Sequence, residues 1–141
     1  IIGSEGIFGL IVSCKLNLLE RPKRYLDLFV QLESEDQAID LYQYLYNLFN
    51  KDMSKVFALE YFGYNCQKYM NHKDFLFNSN NQVGLYIKVP IYNNTIEDKS
   101  FEWFKILESF NSYIKPEEVI VLNDKKNYLT LNPITINFTT N

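Results

Sequence analysis

The chain has little of the material from which metal and redox sites are built. It carries one histidine, His72, and two cysteines, Cys14 and Cys66, far apart in sequence and in no Cys-x-x-Cys pair. A zinc site would have to gather carboxylates from scattered positions, and no metal spacing is present. His72 lies in a polar stretch at the end of a short helical pattern, where a cation suits the helix dipole, so a solvated capping role is expected of it. The two thiols read as reduced and packed, which fits a cytosolic setting. Charge of one sign is not concentrated: 14 basic and 17 acidic residues leave a formal charge of -3, and no basic stripe offers itself to a nucleic acid. No apolar run approaches the length of a membrane span, and no signal-peptide pattern opens the chain. Repeats and low-complexity tracts are missing too.

What is present is apolar and aromatic. Hydrophobic residues make up 47% of the 141, with 11 Tyr and 11 Phe, enough for one domain around a single core and too much for a disordered chain. The sequence begins Ile1-Ile2 without an initiator Met, so a piece of a longer protein is expected.

Three of the five glycines fall within the first nine residues, Gly3, Gly6 and Gly9, around Ser4 and Glu5 and ahead of the apolar run Leu10-Ile11-Val12. Glycine is selected where φ must be positive or where something approaches too closely for a Cβ. Three of them ahead of a strand suggest backbone amides free to face an anion. On spacing alone, a plain glycine turn into a first strand is the commoner outcome. The spacing is not the dinucleotide fingerprint, which needs G-x-G-x-x-G between a strand and a helix.

The literal string adds more. Gly3-Ser4-Glu5-Gly6-Ile7-Phe8-Gly9-Leu10-Ile11 resembles the Gly-Ser-Glu-Gly-Thr-Leu-Gly-Ile-Ile signature of the FAD-linked oxidases, the family of the D-lactate, glycolate and D-2-hydroxyglutarate dehydrogenases, with Ile7 in place of Thr. Further on, Ala58-Leu59-Glu60 is similar to an Ala-x-Glu strand of that family's C-terminal cap, although Gly63 stands where an acid is common. The resemblance implies that residues 1–22 are the C-terminal edge of an FAD-binding domain and that 23–141 are part of the cap over the substrate side of the flavin. It implies Ser4, Glu5, Gly6, Gly9 and Ile11 as flavin-side contacts, and FAD as cofactor of the complete protein. The partners would be the missing FAD-binding domain, the rest of the cap and a small D-2-hydroxy acid. The location would be the cytoplasm, or the periphery of the inner membrane for the complete enzyme. The family's Trp-x-x-Arg, whose Arg meets the substrate carboxylate, aligns with Leu129 and Asn132, so that anchor is missing.

Taken in order, Phe8 to Leu19 alternates as a strand, with Leu10, Val12, Cys14, Leu16 and Leu18 on one parity. Glu20-Arg21-Pro22-Lys23 breaks it. Tyr25 to Leu32 is the next strand, with Leu26, Leu28, Val30 and Leu32 against Asp27 and Gln31. Ser34 caps a helix running to about Phe49, with Ala38, Leu41, Leu45, Leu48 and Phe49 as its apolar face and Tyr42 and Tyr46 beside it. Val56 to Tyr61 is a short strand, and Tyr64 to Met70 reads as a short helix. Val83 to Ile91 is a strand whose Pro90 places its end at a sheet edge. Thr95 caps a second helix, with Phe101, Phe104, Leu107 and Ile114 buried, Trp103 and Phe110 alongside, and Pro116 as the stop. Glu118 to Leu122 is the last strand before a turn and the tail.

From Tyr25 this order predicts an α+β domain of ferredoxin-like, split-βαβ type: an antiparallel sheet with helices on one face, preceded by a strand from the flavin domain. The other sheet face is expected to be apolar and bare in this chain, inviting a homo-oligomer. A reading of another class stays open. Between Tyr25 and Leu122 there is no nucleophile–base pair, metal cluster or phosphate cradle, so the domain also reads as a scaffold that binds a protein or itself.

Overall fold

The structure, a computed structural model, describes residues 3, 5–66, 76–78, 80, 83–110 and 118–122. Four strands form one antiparallel sheet: β1 (Arg24–Leu32), β2 (Ala58–Phe62), β3 (Val83–Ile91) and β4 (Val119–Val121), in the spatial order β2-β3-β1-β4. Helices α1 (Glu35–Leu48) and α2 (Ile96–Phe110) make the two crossovers, and Met53–Lys55 adds a 3₁₀ turn before β2. Each βαβ unit straddles a strand of the other, which is the split-βαβ, ferredoxin-like arrangement expected from the element order.

Local chemistry fixes the element ends. The Gln37 amide donates to Ser34 Oγ at 3.2 Å, and Gln37 Oε1 accepts from the Glu33 amide at 2.8 Å, a reciprocal cap that opens α1. At its other end the chain passes through left-handed backbone at Asn50 and Lys51, and the Lys51 amide reaches back to the Tyr46 carbonyl. Thr95 opens α2: its Oγ1 accepts from the Asp98 amide at 3.1 Å and donates to Asp98 Oδ2 at 2.8 Å.

Parity divides the sheet between two cores. Leu26, Leu28, Val30 and Leu32 of β1 and Val83, Leu85, Ile87, Val89 and Ile91 of β3 face the helices, where Ala38, Leu41, Leu45, Phe49, Trp103 and Leu107 close over them. The opposite face is not bare. Phe29 is fully buried there beneath Phe62 and Phe77, with ring centroids 5.6 and 5.4 Å away, and Leu76, Tyr86 and Leu122 complete the cluster. Gly84 makes that packing possible: a Cβ there would stand 2.2 Å from Phe29 Cζ.

Several expectations are corrected. Residues 9–22 form no strand. Nothing among the described residues pairs with them, and Leu10, Val12 and Leu18 are 89, 93 and 90% exposed. Alternation supplies a face, but a strand exists only where a neighbour takes its amides and carbonyls. The buried line of α2 is Trp103 and Leu107, with Phe104 and Phe110 half-buried and Phe101 63% exposed; Ile114 and Pro116 lie outside the described residues. Leu48 of α1 is likewise exposed. β3 is central over most of its length, while its end at Pro90 does lie at an edge, as expected. Pro90 is tolerated because β2 ends early: Lys88 accepts from the Phe57 amide on that side, and Pro90, two residues on, faces the same way past the end of β2. The 64–70 helix, His72 and the 128–141 tail fall wholly or largely outside the described residues. No helix among those described is long and apolar enough to cross a membrane.

Candidate functional site

Three places in the molecule gather chemistry. The first is the glycine segment. Gly3, Glu5, Gly6 and Gly9 all take positive φ, at 79, 51, 84 and 144°, and residues 5–8 form a turn. Glu5 bears the cost of left-handed backbone, about 1 kcal/mol for a residue with a Cβ. Beside each of the three glycines the space is open: an added Cβ would meet nothing within 4 Å. Of the residues expected to touch flavin, Glu5 and Gly6 share this turn, Gly9 follows it directly, Ile11 lies just beyond in the exposed run, and Ser4 is outside the described residues. An exposed left-handed backbone of this kind has a form that a planar or anionic group can approach closely.

The second place is the sheet face turned away from the helices. Asp27, only 4% exposed, accepts from the Tyr86 hydroxyl at 2.5 Å and lies 3.9 Å from Lys88 Nζ. Lys88 in turn sits over the Tyr25 ring at 4.7 Å and the Phe57 ring at 6.0 Å. Gln31 donates to the Leu76 carbonyl and accepts from Asn78 Nδ2. Glu60 of β2 stands opposite Tyr86 in the ladder and shares this face. The buried Asp27 side chain is thus hydrogen-bonded and within ion-pair distance of Lys88 while bordering an aromatic floor. Sequence reasoning noted Asp27 and Gln31 only as the polar parity of β1. What joins them to Tyr86 and Lys88 is the β1–β3 register, which pairs Asp27 with Lys88 and Phe29 with Tyr86.

The third is a cleft of about 390 Å³ between α1 and β2, lined by Glu35, Ala38, Ile39, Tyr42, Leu59, Tyr61 and Leu85. Its walls are mostly apolar. Burial of the Tyr61 hydroxyl, aided by a hydrogen bond and charge from Glu35, pushes its pKa up to about 12, so at neutral pH it is a proton donor to that carboxylate. Among the described residues no group of three or more His, Cys, Asp or Glu is placed to hold a metal ion.

No family model, curated protein or solved structure matches the chain.

Proposed function

We propose that this chain is the motif segment and first part of the cap of an FAD-dependent oxidoreductase that oxidises a small D-2-hydroxy acid. The observation that carries the reading is the Gly3-Ser4-Glu5-Gly6…Gly9 string on a backbone that is left-handed at four positions and open on its flank. Ser4, Glu5, Gly6, Gly9 and Ile11 would help to hold FAD, whose chemistry would be to supply an acceptor for the substrate's hydride. This chain contributes contacts to it through the backbone of Gly6 and Gly9 and the short side chains of Ser4, Glu5 and Ile11. The sheet that follows orients the cap. Its polar face, with Asp27, Tyr86 and Lys88 held in fixed mutual geometry, borders the substrate side in this reading. In this reading the family's phosphate-binding loop belongs to the FAD-binding domain, so the chain by itself is expected to be inactive.

A titration of FAD fluorescence, first with the chain and then with the chain plus the upstream domain, tests this. Binding that appears only in the mixture and weakens on Gly6→Val supports the reading. A folded chain that adds nothing to flavin binding in the mixture rejects it in favour of the scaffold reading, which draws its own support from the exposed apolar run at 7–19.

A further inference from the structure

An edge strand and an exposed segment of strand-like alternation lie in the same molecule. Among the described residues β2 ends the sheet, pairing with β3 on one side only. Residues 10–18 alternate in sequence and are exposed, yet belong to no ladder among the described residues. Their two parities match the two sides of β2. Leu59 and Tyr61 point to the helix side and line the apolar cleft with Ile39 and Tyr42 of α1. Glu60, on the other parity, is exposed on the far face. In the segment, Cys14 and Leu16 lie on the apolar parity and Lys15 on the polar one, all exposed.

We propose that two copies of this chain exchange these segments, residues 10–18 of each adding antiparallel to β2 of the other. One register satisfies both parities and charge: Lys15 opposite Glu60, Leu16 opposite Leu59 and Cys14 opposite Tyr61. Leu16 then fills the cleft, Lys15 meets the Glu60 carboxylate, and the amides of β2 that face away from β3, without a ladder partner among the described residues, gain one. Exchange is reciprocal, so the assembly closes at two copies. Opposite parity would bury Lys15 in the apolar cleft, which excludes the one-residue slip. The inference is independent of the flavin reading and is tested on the chain alone, so a failed flavin titration leaves it untouched.

The experiment combines sedimentation equilibrium with cysteine trapping on residues 1–141. The unmodified chain is expected to dimerise. Leu16→Lys should raise the dimer dissociation constant at least about tenfold, the loss expected when a buried leucine contact is replaced by a charge. Lys15→Glu and Glu60→Lys should each raise it about two- to thirtyfold, the range of the two cross-strand pairs that each dimer contains, and the two together should restore it. In a Cys66→Ser, Tyr61→Cys background, mild oxidation should link Cys14 of one copy to position 61 of the other. A chain that stays monomeric up to its solubility limit overturns the proposal. So does a dimer indifferent to Leu16→Lys, or a double charge reversal that does not rescue. A disulfide formed within single chains overturns it as well, since the segment then folds back onto its own β2.

Discussion

Two stretches of this chain carry nearly the same pattern and meet opposite fates. Residues 8–19 and 24–32 each alternate aliphatic with polar side chains over about the same length. The second is β1, at the centre of the sheet, with β3 and β4 on its flanks and seven consecutive residues buried. The first is exposed and without a ladder among the described residues. The difference lies in the neighbours. β1 has its amides and carbonyls taken on both sides and its two faces covered by different cores. The 8–19 run has a face to bury and nothing among the described residues that buries it. Alternation is therefore a statement about what a segment would do beside a partner, and the partner decides.

The comparison is broken most strongly by identical truncations in the two stretches. Leu28→Ala should lower the free energy of unfolding by about 2–5 kcal/mol, because Leu28 is fully enclosed between sheet and helices. Leu18→Ala should leave it within about 0.5 kcal/mol. Urea unfolding followed by circular dichroism reads both, and equal losses would mean that the N-terminal run is packed after all. Glycine offers a second contrast. Gly84→Ala drives a Cβ into Phe29, which Phe62 and Phe77 hold in place, and should cost about 1–3 kcal/mol. Gly6→Ala meets open space and strains only its own turn, so the unfolding midpoint should stay where it is.

Much of the sheet region was legible in the sequence. The β1 and β3 alternations, the Ser34 and Thr95 caps and the α1 stripe are local signals, and local hydrogen bonds realise them. The phase of α2 was not legible in the same way. Phe101, Trp103, Phe104, Leu107 and Phe110 leave two apolar faces to choose from, and only packing against β1 selects the one through Trp103 and Leu107. Of the candidate site, the glycine turn was visible because positive φ is what glycine is chosen for. The Asp27–Tyr86–Lys88 cluster was not, since its members are about 60 residues apart and only the strand register unites them.

Smaller effects sharpen the contrast within the folded part. Ser34→Ala removes the acceptor for the Gln37 amide and should cost about 1 kcal/mol, again by urea unfolding. At Tyr61 the folded-state pKa stands near 12, above the ordinary value of 10. Its contribution to stability is whole below pH 10 and is lost as the pH climbs towards 12. Tyrosinate absorbance should therefore show one late-titrating group. Glu35→Gln should move that group part of the way back towards 10, since burial, the larger cause, remains. An unmoved titration would place Tyr61 away from Glu35.

The contact between Gly84 and Phe29 has a consequence for folding fidelity. β1 and β3 are long, aliphatic and similar along their helix-facing sides, so sliding one past the other by two residues would keep every leucine and valine facing the helices. Hydrophobicity alone barely distinguishes such a misaligned pairing from the right one. On the reverse side the single residue of β3 without a side chain is where the Phe29 ring lies, and a two-residue slide would bring a larger neighbour beneath the ring. That one vacancy acts as a notch into which the ring drops at a single alignment, so it proofreads the pairing of two otherwise interchangeable ladders.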